Sequence, residues 1–117
     1  METYLPPNRQ LSLKAIVLPV NKDTYSGWLL AQMHLAGSNI ATAKAQGNVG
    51  VLSINELIFY EPIHVGDEVN YYAEIKHMNR TSLTLHIEAL VHRPTQQDDI
   101  KIAEGCFIFM VNENNCN

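Results

Sequence analysis

The sequence predicts an α+β domain in which an antiparallel sheet of about five strands curves around one long helix. One proline-free segment, from Trp28 to about Gln46, is rich in helix-forming residues. Segments with the β-branched, aromatic and alternating character of strands lie on both sides of it. At 117 residues, of which 46% are hydrophobic, the chain has material for one core. We therefore expect a single domain over residues 1–117, with flexible ends at 1–10 and 112–117.

The first strand is expected at Leu11 to Leu18, where apolar and polar residues partly alternate before Pro19 ends the strand. A turn-like segment, residues 21–27, leads into the helix. Ser26 or Asp23 is expected to cap the helix. Apolar residues occupy most of its circumference, so we expect a helix that is buried on most sides. They are Leu29, Leu30, Met33, Leu35, Ala36, Ile40, Ala41 and Ala43.

Four further strands are expected after the helix, at residues 49–60, 69–76, 83–91 and 100–111. Their short connections favour an antiparallel meander in which consecutive strands are neighbours. The helix is the only element available to cover the apolar face of this sheet. A curved antiparallel sheet around one helix is the hotdog fold. Its exposed edge predicts pairing with a second copy, and therefore at least a homodimer.

Composition excludes several classes of protein. The net charge is −4 and the eight Lys and Arg residues are scattered, whereas a nucleic-acid-binding protein usually has a basic stripe. No apolar segment approaches the roughly 20 residues that cross a bilayer, and the N-terminus lacks the apolar centre of a signal peptide. Two cysteines and dispersed histidines do not suggest a disulfide framework or a metal site. We predict a cytoplasmic protein without nucleic-acid or membrane partners and without a metal.

Two segments resemble the acyl-CoA thioester hydrolases of the YciA and brain acyl-CoA hydrolase type. Residues 25–33 are Tyr-Ser-Gly-Trp-Leu-Leu-Ala-Gln-Met, and residues 59–67 are Phe-Tyr-Glu-Pro-Ile-His-Val-Gly-Asp. That family has a Phe-Gly-Gly-Trp-like helix start, a Gln-Met-Asp on the helix and an aromatic-x-x-Pro-x-x-x-Gly-Asp turn. The similarity extends from Leu11 to Val111. It implies a hotdog fold and hydrolysis of an acyl-CoA, with CoA as part of the substrate and no other cofactor.

The chain departs from the family pattern at three places. His34 stands where the family has its catalytic Asp, and Ser26 replaces the first Gly of the helix start. The loop before the helix is also several residues shorter, so Asn21 matches one of the family's asparagines only ambiguously.

Thioester hydrolysis requires a polarised carbonyl group, a positioned water molecule and a base. Backbone N–H groups at a helix start polarise a carbonyl, and Gly27 would let the substrate approach them closely. The alternative is that Gly27 permits tight helix–sheet packing. His34 lies seven residues later on roughly the same face, where its imidazole would act as general base. The alternative is a histidine bound to a partner in a crowded interior, with catalysis lost.

Other polar residues near the helix start are further candidates for the site. Asn21 would hold the attacking water, and Asp23 would serve as an alternative base or as the helix cap. Ser26 would be a nucleophile or carbonyl donor with His34 as its base, although their separation would require a contact across a dimer.

Three residues are candidates for substrate binding. Trp28 begins the helix, Asn55 lies on the strand expected beside it, and Arg80 would meet the CoA phosphates at the rim. Strand alternation would turn Glu56 to the face opposite Asn55, towards solvent. The alternative for Arg80 is an ordinary solvated surface charge.

Two other functions share this fold. A catalytically silent acyl-CoA-binding protein is favoured by the imidazole of His34 in place of the family's carboxylate. A hydroxyacyl-thioester dehydratase would use a histidine with a carboxylate. However, the chain has no His-x-Phe-Pro-like segment before the helix and no carboxylate at the expected helix position.

Overall fold

The computed structural model describes residues 9–18 and 25–112. It confirms the fold class, since one helix lies against a five-stranded antiparallel sheet. The elements are β1 (Gln10–Ile16), α1 (Tyr25–Ala45), β2 (Val49–Phe59), β3 (Glu68–Met78), β4 (Ser82–Val91) and β5 (Ile100–Val111). Within the described residues, no helix combines the length and the apolar character needed to cross a membrane.

The order of strands across the sheet is β1-β3-β4-β5-β2, so β1 and β2 form its two edges. The meander is confirmed for β3, β4 and β5, but its extension to β2 is wrong, because β2 pairs with β5 and β1 pairs with β3. The eight residues 60–67 join β2 to β3 across the end of the sheet. A connection of this length does not impose a hairpin, so neighbours in sequence need not pair.

The helix packs one face on the sheet, mainly through Leu29, Met33 and Ala36. Helix and sheet approach most closely at Gly37, where an added Cβ would lie 2.4 Å from Ile87 Cδ1. The expectation of a helix buried on most sides is wrong for the single protomer, since the sheet covers only that face. Leu35, on the uncovered side, is 45% exposed.

The helix begins at Tyr25, three residues earlier than expected. Ser26 and Gly27 therefore lie inside the first turn, and the expectation that Ser26 caps the helix is wrong. Asp23, the other candidate cap, lies outside the described residues.

The turn after β2 is tied to the end of β1. The Val17 N–H donates to the Asp67 carbonyl and the Gly66 N–H donates to the Val17 carbonyl, both at 2.9 Å. Gly66 has a φ of 95°, which glycine adopts without steric cost.

Candidate active site

The first helical turn is accessible at Gly27. This residue is exposed, and a Cβ added to it would meet no heavy atom within 4 Å. The protomer thus gives no packing reason for a glycine here, and the close-packing role belongs to Gly37 instead. The first N–H groups of a helix lack intrahelical partners and lie at the positive end of its dipole. This end of α1 can therefore accept a carbonyl oxygen.

A cavity of about 310 Å³ lies against the same turn. Tyr25, Ser26 and Leu29 line it from the helix, and segment 59–63 after β2 forms the opposite wall. Most of these side chains are aromatic or aliphatic. An apolar cavity beside N–H groups that have no intrahelical partner suits a ligand with a polar carbonyl and an apolar substituent.

The turn that follows this wall is held by an ion pair between Arg93 and Asp67, neither of which was predicted as a site residue. Arg93, just after β4, donates from Nη2 to Asp67 Oδ2 at 2.8 Å and from Nε to Asp67 Oδ1 at 3.3 Å. The same Nη2 donates to the Pro62 carbonyl at 3.2 Å, and the His64 N–H donates to Asp67 Oδ2 at 2.8 Å. Partial burial alone would raise the pKa of Asp67, but the hydrogen bonds from Arg93 and His64 hold it below its ordinary value.

His34 is exposed and lies on the flank of the helix nearest β5. Its ring contacts Phe109 with centroids 5.9 Å apart. Among the described residues no hydrogen bond to His34 occurs, which does not fit the alternative of a histidine held in a crowded interior. Seven residues of helix span about 10 Å, and helical side chains lean towards the N-terminus. The imidazole is therefore expected to point towards the helix start, where Gly27 lies.

The other candidates near the helix start are less informative. Ser26 borders the cavity, but eight residues of helix place it about 12 Å from His34 along the axis, too far for a direct bond within the protomer. Trp28 is half-buried and packs against the edge of the core. Asn21 and Asp23 lie outside the described residues.

The structure does not bring Asn55 to the helix. Asn55 pairs with Cys106, on the sheet face turned away from the helix, and donates to Ser53 Oγ at 3.3 Å. The register of β2 shifts between Asn55 and Ile58, and Glu56 in this irregularity has a φ of 54°. The expected alternation between Asn55 and Glu56 fails here because a β-bulge interrupts the pleat.

Arg80 is exposed in the connection between β3 and β4. The preceding Met78 borders a cavity together with Lys44, from the last turn of the helix. Arg80 is thus at the opposite end of the protomer from Gly27.

A second polar cluster, absent from the predicted site, lies on the outer face of the sheet, away from the helix. His86 Nε2 is 2.9 Å from Glu104 Oε1, and Lys101 Nζ is 3.0 Å from Glu88 Oε2 and 3.1 Å from Glu104 Oε1. Tyr60 donates its hydroxyl hydrogen to Glu104 Oε2. The hydrogen bond from Tyr60, with further ones from Lys101 and His86, lowers the pKa of Glu104 to about 2 although burial opposes this.

Ligand atoms of His86, Glu88 and Glu104 all lie within 4.8 Å of one another, the spacing of a metal site. However, Lys101 contacts both carboxylates and Arg9 Nη2 lies 3.2 Å from Glu88 Oε1, so two cations already balance the two negative charges. The cluster is therefore an ion-pair network. The sequence signal that could have located it is the polar set of alternating residues in β4 and β5, which places these side chains on one face.

Known proteins that are similar to this chain are thioesterases. The model of the Thioesterase superfamily matches residues 21–96. The acyl-CoA thioester hydrolase YciA of Salmonella typhimurium is 30% identical over 111 residues, which cover 89% of this chain and 84% of that protein. A hexameric thioesterase from Yersinia pestis superposes with a TM-score of 0.85 at 27% identity, over 97% of this chain and 95% of that one. A hexameric broad-specificity acyl-coenzyme A thioesterase gives a TM-score of 0.81 at 25% identity, over 90% of this chain and 76% of its own.

Proposed function

Because the chain belongs to the Thioesterase superfamily, with the YciA-like acyl-CoA thioester hydrolases, we propose that it hydrolyses an acyl-CoA to a free carboxylic acid and CoA. The observation that carries this proposal is the end of α1, where an accessible first turn at Gly27 adjoins an apolar cavity. The exposed imidazole of His34 lies on the same side of the helix as Gly27.

In this reaction the thioester carbonyl is held by the N–H groups of the first turn, which stabilise the oxyanion that develops on it. His34 takes a proton from the attacking water and delivers it to the departing sulfur. The C–S bond breaks, the water oxygen enters the acid, and the thiol of CoA is released. Hydrolysis changes no oxidation state and transfers the acyl group only to water, so the proposal includes no cofactor apart from CoA within the substrate.

We further propose that the protein is at least a homodimer paired along β2. The solved relatives described above are hexamers, and β2 is an edge strand whose large apolar side chains are exposed. Pairing with a second copy would cover these side chains and complete the site beside His34. They are Val51, Leu52, Ile54 and Ile58. Light scattering should give at least twice the protomer mass, and a monomer would contradict the pairing. A cytoplasmic location remains a prediction of the sequence.

The test of the function is thiol release from a panel of acyl-CoAs with short, medium and long chains, using the purified full chain. We expect release above the uncatalysed rate with at least one of them. A protein that binds CoA but releases no thiol from any member of the panel would contradict the proposal.

That outcome would support the second candidate, a silent acyl-CoA-binding protein, which is favoured because His34 occupies the position of the family's carboxylate. Replacing His34 with Asp then separates the two: a variant that gains hydrolysis where the natural chain has none identifies a site that has lost its catalytic group.

A further inference from the structure

We propose that the cavity at the helix start receives the acyl group of the substrate, and that the ion pair between Arg93 and Asp67 sets which acyl groups fit, by fixing one wall of that cavity. This inference rests on the proposed hydrolysis of acyl-CoA. The pair is called the Arg93–Asp67 clamp below.

The cavity lies where an acyl group has to go. Tyr25 and Ser26, the first two residues of the helix, line it next to Gly27. A thioester whose carbonyl oxygen is held at the first turn has two substituents, the sulfur of CoA and the acyl chain. The apolar chain is favoured in an apolar cavity, whereas the charged and hydrated part of CoA is not.

The size of the cavity indicates the class of acyl group. Its volume of about 310 Å³ is near the lower end of the range for small-molecule pockets, roughly 300–1,000 Å³. Within one protomer this space fits a short or medium acyl chain, and a partner subunit that completes the site would set how much longer a chain can be.

The wall opposite the helix has few backbone contacts of its own. The Tyr60 N–H donates to the Ile102 carbonyl at 2.7 Å and the Glu61 N–H donates to the same carbonyl at 3.4 Å, which are the last bonds to the sheet before the turn. Pro62 has no N–H to donate, so this part of the wall depends on contacts within the turn and with Arg93.

The clamp supplies those contacts. Arg93 joins the two ends of the turn, because it donates both to the Pro62 carbonyl and to the carboxylate of Asp67. Asp67 in turn accepts from the His64 N–H and closes the turn. Only 19% of the Arg93 side chain and 11% of the Asp67 side chain are exposed, so the ion pair is largely shielded from water. A lysine keeps the charge but lacks the planar, two-pronged donor group of arginine.

The experiment compares Arg93→Gln and Arg93→Lys with the natural chain, measuring kcat and KM for acyl-CoAs of increasing chain length. For Arg93→Gln we expect kcat/KM with the preferred acyl-CoA to fall about tenfold while longer chains lose less, because a loosened wall stops discriminating by size. Arg93→Lys should lie between the natural chain and Arg93→Gln. The change in chain-length preference is the decisive quantity, since a general loss of stability would lower all rates by one factor.

Arg9→Gln is the matched control. Arg9 is 3.2 Å from Glu88 on the outer face, and the exposed fractions of the two side chains, 27% and 16%, are close to those of the clamp. Its removal should leave the chain-length preference unchanged. Phe59→Ala provides an independent variant that does not break an ion pair. Phe59 is 41% exposed and lines the cavity, so its truncation should enlarge the cavity and shift the preference towards longer chains.

The outcomes separate the two proposals. If the natural chain hydrolyses no acyl-CoA, the proposed function fails. If the natural chain is active but the Arg93 variants and Phe59→Ala keep its chain-length preference, the function stands and the acyl cavity with its clamp is overturned. Thermal unfolding of each variant verifies that the rates belong to folded protein.

Discussion

Two histidines, His34 on the helix and His86 on the sheet, have opposite surroundings. The imidazole of His86 is bonded to the carboxylate of Glu104 within a network of ion pairs on the outer face. His34 is exposed and has an aromatic contact but no carboxylate partner among the residues the structure describes. Judged by chemical groups alone, His86 with Glu104 looks like the acid–base pair of an enzyme.

The positions of the two histidines favour His34 instead of His86 as the base. His86 belongs to the face of the sheet that the helix does not cover, and its carboxylate partner is already neutralised by Lys101. His34 lies on the same side of the helix as Gly27, which directly follows the first two residues that line the cavity, Tyr25 and Ser26. Under the proposed function, the place of His34 beside the helix start identifies it as the base, although His86 is the histidine that has a carboxylate partner.

Among the substitutions considered, His34→Ala is expected to lower activity most, and His86→Ala is its matched control. His34→Ala should lower the rate of thiol release by at least about 100-fold, because the general base is lost, while CoA binding stays within a few-fold. His86→Ala should change the rate by no more than about twofold, the size of an ordinary surface substitution. Steady-state kinetics and CoA titration check both variants. An equal loss of activity in the two would break the comparison.

Two glycines of the helix provide a second comparison, because Gly37 packs closely on the sheet and Gly27 has free space around it. Gly37→Ala should lower the free energy of unfolding by about 1–3 kcal/mol, because the new Cβ would lie 2.4 Å from Ile87 Cδ1 and 2.9 Å from Phe109. Gly27→Ala should leave that free energy unchanged or raise it by up to about 1 kcal/mol, because alanine favours the helix and has free space.

In Gly27→Ala, activity should fall although the stability of the fold does not. There the methyl group blocks the approach of the thioester to the first turn, so kcat/KM should fall about tenfold in a fully stable protein. Urea unfolding and kinetics on the same samples measure both quantities. Full activity in Gly27→Ala would remove this turn from the site.

The smallest expected effect concerns pH and the outer face. The folded-state pKa of Glu104, about 2, is below its ordinary value of 4.5. The ionised carboxylate therefore stabilises the fold above about pH 4.5, and this contribution is lost as the pH falls from about 4.5 towards about 2. Glu104→Gln should show a shallower decline of Tm over that range. A decline parallel to that of the natural chain would indicate that the network contributes nothing.

The type of each element could be predicted from sequence because it depends on local patterns. The alternation in β4 and the helix-forming residues of α1 can each be recognised from that segment alone. The partner of β2 could not be predicted, since it depends on how residues 60–67 cross the end of the sheet. The bulge at Glu56 was not predicted for a related reason, because one extra residue hardly changes the composition of a strand.

The same distinction applies to the site. The shared helix side of Gly27 and His34 was accessible to prediction because helical spacing relates them, and the resemblance to thioester hydrolases supplied the roles proposed for them. The Arg93–Asp67 clamp was not, because its two residues are 26 positions apart and lie in irregular segments whose approach only the folded chain reveals.

The most direct test of the central claim is a crystal structure of the full chain with an acyl-CoA analogue whose thioester is replaced by a ketone. We predict that the ketone oxygen lies at the first turn beside Gly27, with the imidazole of His34 on the same side and the acyl chain in the cavity of about 310 Å³. An analogue bound beside His86 on the outer face, with that helix end uncontacted, would contradict the account.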